Sequence, residues 1–162
     1  MAEATKGGNG GGAQPPAGQQ VQVRVLAQFV KDLSFECPNV HKLIEAQGEA
    51  PELRVEVNVN AQKIADTVFE SAIVFKAQAE AKIGTVYDLE LTYAGLFHVS
   101  NLPEQALEPF LVIECPALLF PFVRRLVADL TREGGFPPLL LDPINFANLY
   151  AKRQQEQRSV KN

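Results

Sequence analysis

An α+β fold, with a four-stranded antiparallel sheet first and helices after it, is what the apolar pattern of this chain predicts. Three observations carry that reading: four segments in which apolar and polar residues alternate, a long stretch in which apolar residues recur at helical spacing, and a capped amphipathic segment near the C-terminus.

The alternating segments come first. They are Val21-Val23-Val25-Ala27-Phe29, Leu53-Val55-Val57-Val59, Phe69 with Ile73-Phe75-Ala77-Ala79, and Tyr87-Leu89-Leu91-Tyr93 with Phe97-Val99. Period two means a strand with one buried face. The opposite rows are polar: Arg24 and Gln28; Arg54, Glu56 and Asn58; Glu70, Lys76, Gln78 and Glu80; Asp88, Glu90 and Thr92. A sheet wet on one side is the antiparallel habit. Lys82-Ile83-Gly84-Thr85 is a hairpin-length connection, so the third and fourth strands are expected to be antiparallel neighbours.

The cover for the dry side follows. From Glu104 to Arg132 the spacing is helical, as in Leu119-Phe122-Val123-Leu126-Leu130, and Pro109, Pro116 and Pro121 should kink that helix. Gly134-Gly135 ends it. After the loop Phe136 to Leu141, Asn145 caps a short last helix bearing Phe146, Leu149 and Tyr150. Phe110, Leu111, Val112, Ile113, Leu118, Phe120 and Val127 fall outside any single narrow stripe of the long helix. A helix apolar on several sides is buried on several sides, so a second copy of the chain is expected over it.

Length and composition agree with one domain. The chain has 162 residues, 46% hydrophobic and 21% charged, enough to bury a core. Residues 1–20 hold six of the eleven glycines plus Pro15 and Pro16, and are read as a disordered tail; residues 21–150 form the domain; residues 151–162 are a polar basic tail. That last segment carries +3, which leaves −7 for the body when it is taken from the total of −4. An acidic body repels phosphate backbones and invites a basic partner, so no nucleic acid is expected. No window approaches the roughly 18 uncharged apolar residues of a spanning helix, and residues 1–20 have no apolar h-region, so a cytoplasmic protein without membrane insertion is expected. Cys37 and Cys115 are too few for a disulfide framework and are read as free thiols.

Catalytic chemistry finds little footing. There is no phosphate loop ending in Lys-Ser or Lys-Thr and no nucleophile elbow, and His41 and His98 are the only imidazoles. Cys37-x-x-x-His41 with Cys115 and His98 matches no strong zinc pattern. Asp88 and Glu90 share one strand face, where a solvated or docking surface is the better reading than an acid–base pair. A small α+β enzyme with an apolar cavity is the rival; its odd row offers Tyr87 and Tyr93 but no carboxylate or histidine. The expectation is a non-enzyme without cofactor or metal.

Four ordered runs then carry a resemblance: Lys31-Asp32-Leu33-Ser34-Phe35-Glu36-Cys37-Pro38-Asn39, Tyr93-Ala94-Gly95-Leu96-Phe97, Cys115 to Arg124 beginning Cys-Pro-Ala-Leu-Leu-Phe-Pro-Phe, and Gly135 to Phe146 beginning Gly-Phe-Pro-Pro-Leu-Leu-Leu. Over about residues 21–152 the chain resembles the SecB export chaperones. The resemblance implies an ATP-independent holdase that binds unfolded precursor proteins, keeps them competent for translocation and delivers them to the SecA motor. It implies a homotetramer, a dimer of dimers with two sheets joined into an eight-stranded one and helices in the middle, with contacts mapping to Leu89, Leu91 and Tyr93. It implies a SecA-binding patch at Asp32, Glu36 and Glu90, with Asp88 where the family has a hydrophobic residue. Strand parity independently sets Asp32, Glu36 and Glu90 opposite the buried row. The client groove maps to Val40, Leu43 and Ile44 facing Phe146, Leu149 and Tyr150, with Phe136 and Leu140 nearby. The nearer alternative is a SecB-like chaperone of a toxin–antitoxin system, which keeps the groove and dispenses with the patch.

Overall fold

The computed structural model describes residues 18, 20–45, 48 and 50–161. The Gly/Pro-rich tail read over 1–20 lies outside them apart from Gly18 and Gln20. The elements are β1 (Gln22–Glu36), a short α1 (Val40–Leu43), β2 (Glu52–Ala65), β3 (Val68–Ala81), β4 (Gly84–Ser100), α2 (Glu104–Pro109), a π-helical turn (Phe110–Glu114), α3 (Cys115–Glu133) and α4 (Phe146–Val160). The strands form one antiparallel sheet in the order β1-β4-β3-β2. The hairpin between β3 and β4 turns at Lys82 and Ile83, and Gly84 takes the left-handed conformation (φ 108°) such a turn demands.

The first strand is longer than its alternation suggests, and it carries two bulges. Pairing slips between Val25 and Ala27 and again between Val30 and Asp32, leaving Leu26 and Lys31 as the extra residues. Before the first slip Val25 lies opposite Phe97; between the slips Val30 lies opposite Tyr93; after the second Leu33 lies opposite Leu91. Directly opposed residues share a face, so Gln28, expected among the polar residues, is on the helix side, where it accepts a hydrogen bond from the Tyr93 hydroxyl at 3.4 Å. Ala27 and Phe29, expected on the dry row, are on the other face beside Leu96 and Ala94. The second bulge restores the original parity. Asp32 and Glu36 therefore reach the wet face as the simple count predicts.

The long helix packs on the two middle strands. Leu119 and Val123 are fully buried, and Gly95 of β4 makes the approach possible: a Cβ there would meet Leu119 Cδ2 at 3.0 Å and Phe97 Cε2 at 2.7 Å. The proline interruption takes a specific form. The Cys115 N–H bonds to the Phe110 carbonyl, one residue beyond the α-helical partner. In that register the Leu111 carbonyl faces Pro116, which has no N–H. The buried Ser71 hydroxyl of β3 donates to it instead, at 2.8 Å.

Two expectations need correction. The dry face is buried mainly over β3 and β4, with Val59 of β2: Val23, Val25, Val30 and Leu33 of β1 and Leu53 and Val55 of β2 lie on the helix side but remain exposed, because one helix is too narrow for four strands. The joined helix Glu104–Glu133 is also long and apolar enough, by length and composition, to cross a membrane. Glu108 and Glu114 are its only charges from Gln105 to Val123, and the prolines that break its geometry do not lower its hydropathy. Here it lies on the sheet as a core helix, with Leu118 and Phe122 left exposed. The last helix begins as expected: Asn145 Oδ1 accepts from the Asn148 N–H at 3.0 Å. It continues through the basic segment to Val160, so 151–160 extend α4.

Candidate functional site

The wet face of β1 and β4 gathers four carboxylates. Glu36 lies directly opposite Asp88, Ser34 opposite Glu90, and Asp32 opposite Thr92. Successive outward positions are about 7 Å apart along a strand, so the four share three adjacent rows. Asp32, Glu36 and Glu90 are exposed and Asp88 is half-buried. The sequence reading missed one neighbour. Lys76 of β3 lies opposite Glu90 with its Nζ 3.6 Å from Oε1, both side chains half exposed. Such a pair is weak in water and leaves the patch negative. Alternation on the third strand already put Lys76 on this face; only the register shows that it meets Glu90.

The residues assigned to a client groove separate into two groups. Leu43 and Phe136 line an apolar pocket of about 320 Å³ with Leu53, Val86, Tyr87 and Leu139. Tilted ring pairs run along its wall, Phe35 to Tyr87 at 5.9 Å and Tyr87 to Phe136 at 5.1 Å between centroids. Val40, Ile44 and Leu140 are exposed, Ile44 and Leu140 by 78% and 67%, which is far beyond what a core tolerates. Leu149 and Tyr150 line other clefts, of about 690 and 580 Å³, between α4 and the middle and far part of β2. Phe146 is buried edge-on against Phe120 and belongs to the core. The two groups do not face one another. They border the same edge strand, from Leu53 to Val59 and beyond, about 20 Å apart at ~3.3 Å per residue. Arg153 of α4 donates to the Val59 carbonyl at 2.8 Å, tying that helix to the strand.

The oligomer residues also change standing. Leu89 and Leu91 are fully buried beneath α3 within one protomer, so they have no surface left to offer a second copy. Tyr93, 8% exposed, stacks on Phe122 at 5.9 Å and lies opposite Val30. The uncovered apolar surface therefore flanks Tyr93, with Phe122 on the helix and Val23, Val25, Val30 and Leu33 on β1.

The thiols are shielded rather than activated. Burial first, then the Glu114 carboxylate, pushes Cys115 up to about 12, and burial raises Cys37. Tyr87 is raised by burial and secondarily by Cys37. Among the described residues no three of His, Cys, Asp or Glu converge as metal ligands.

The family model described as preprotein translocase subunit SecB matches residues 16–157. The protein-export protein SecB of Bradyrhizobium sp. strain BTAi1 is 45% identical over 94% of this chain and 94% of its own length. That of Parvibaculum lavamentivorans is 47% identical over 95% of this chain and 92% of its own. Among solved structures, the Mycobacterium tuberculosis Rv1957 SecB-like chaperone, determined with a ChAD peptide from the Rv1956 HigA1 antitoxin, is similar with a TM-score of 0.59. It covers 75% of this chain and 90% of its own at 18% identity, a likeness of fold. With a family model spanning nearly the whole body and relatives matched along nearly their full length, this chain belongs to the SecB family.

Proposed function

We propose that the protein is an ATP-independent export chaperone of the cytoplasm, which holds unfolded precursor proteins and hands them to SecA. The observation that carries this reading is the identity of 45% to a protein-export protein SecB across 94% of both chains. No catalytic step or cofactor is required. Holding rests on apolar contact: roughly 25 cal/mol is gained per Å² of apolar surface removed from water, whatever the client sequence. The pocket at Leu43 and Phe136 and the clefts at Leu149 and Tyr150 both border β2, so an extended client can engage both ends at once, with exposed Val40, Ile44 and Leu140 as further apolar surface.

Delivery uses the acidic face of β1 and β4. Asp32, Glu36, Asp88 and Glu90 present a negative field to a basic segment of SecA, and contact of that kind is sensitive to salt. Separation of the two surfaces allows client and motor to be bound together. A chaperone dedicated to a toxin–antitoxin pair needs the groove alone, and four carboxylates in register on one face favour export. In the Asp32→Ala/Glu36→Ala/Glu90→Ala protein, SecA binding should weaken about ten-fold or more at low salt and lose most of its salt dependence, while protection of an unfolded precursor from folding persists. Unchanged affinity for SecA would remove the docking assignment.

A further inference from the structure

The docking carboxylates of β1 owe their orientation to the bulge at Lys31. Between the two bulges, even-numbered residues of β1 face the helix: Val30 lies opposite Tyr93, and Gln28 takes the Tyr93 hydroxyl. Were that pairing continued without interruption, Asp32 would fall opposite Leu91 on the helix side, and Glu36 would follow it inward. Leu33 and Phe35 would turn to solvent. The extra residue, Lys31, reverses this phase.

That residue is also tethered. Lys31 Nζ lies 2.6 Å from Glu70 Oε1, a contact that reaches across β4 to β3. The Glu70 side chain is only 10% exposed and accepts a second hydrogen bond from the Gln62 amide of β2 at 3.0 Å. A shielded carboxylate so held is a fixed anchor rather than a passing surface partner. We propose that Lys31 and Glu70 are positioning residues of the acidic docking face: their ion pair locks the second β1 bulge and so turns Asp32 and Glu36 outward beside Asp88 and Glu90. The same pair holds the lysine charge away from Asp32, its chain neighbour. This inference rests on the reading of the acidic face as the motor's docking site.

The sign of one substitution separates this role from simple electrostatics. Lys31→Met makes the face more negative, so charge alone predicts tighter binding of a basic partner. A positioning role predicts weaker binding. The measurement is SecA affinity for the full-length protein as salt is varied, with protection of a chemically unfolded reporter followed on the same samples. The expected result is an affinity about ten-fold lower for Lys31→Met and for Glu70→Gln, reporter protection unchanged, docking retained in Lys31→Arg, and faster amide exchange from Leu33 to Glu36. If Lys31→Met docks as well as or better than the parent while Asp32→Ala/Glu36→Ala/Glu90→Ala does not, the positioning role fails and the docking face stands. If that triple variant itself docks normally, the docking face fails first. Loss of docking and reporter protection together would make the pair a general support of the fold and overturn the proposal.

Discussion

At the scale of single residues, the Ser71 hydroxyl answers a problem that lies 40 positions away in the chain. Its bond to the Leu111 carbonyl, at 2.8 Å in a fully buried site, satisfies the acceptor that the π turn aims at Pro116. Ser71→Ala should leave that carbonyl desolvated and unpaired, at a cost of about 1–3 kcal/mol, read as a lower urea midpoint with unchanged slope. A midpoint equal to the parent's would mean that another group takes over the carbonyl. The prolines announced an interruption of the helix, but nothing in a local window tells a kink from a π turn or picks out a strand serine as the partner. Burial of Leu89 and Leu91 was legible from alternation. That burial within one protomer exhausts them as contact surface was not, because parity says which way a side chain points and not how far its cover extends.

At the scale of elements, the loop after α3 is fastened by one side chain. Thr131 Oγ1 donates toward the Val127 carbonyl at 2.9 Å and accepts from the Leu139 N–H at 2.9 Å, while the Phe136 N–H bonds to the Thr131 carbonyl at 3.1 Å. Gly135, with φ 86°, reverses the chain between them. Phe136 and Leu139 are thereby fixed as a wall of the pocket that Leu43 lines. Thr131→Val keeps the shape and removes the acceptor. We expect faster hydrogen exchange at Leu139, a loss of about 1–3 kcal/mol, and weaker holding of unfolded clients; normal exchange at Leu139 would show the loop to be held by packing alone. The four strands, the long helix and the Asn145 cap were all legible from period and capping chemistry. The length of β1 was not: Lys31 and Asp32 end its alternation to the eye, whereas a bulge carries the strand on to Glu36.

At the scale of the whole molecule, an apolar strip flanking the buried Tyr93, with Phe122 on the helix and Val30 and its neighbours on β1, is left uncovered. The proposed homotetramer, two dimers with helices between their sheets, gives that strip a place to be buried. Leu118→Glu/Phe122→Glu should lower the mass seen by light scattering on size exclusion from four chains toward two or one. A mass that stays at four chains would place the contact elsewhere. The two bulges of β1 have a consequence for the chain's tolerance of change. They act on side-chain phase as a frameshift and its suppressor act on a reading frame: only Ala27 to Val30, between them, are out of step. Deleting Leu26 or Lys31 would leave every remaining pair in place, Val25–Phe97 beside Ala27–Leu96 and Val30–Tyr93 beside Asp32–Thr92, whereas deleting a paired residue would turn the residues beyond it to the wrong face. Length changes in this strand should therefore be tolerated at the two bulges and not between them.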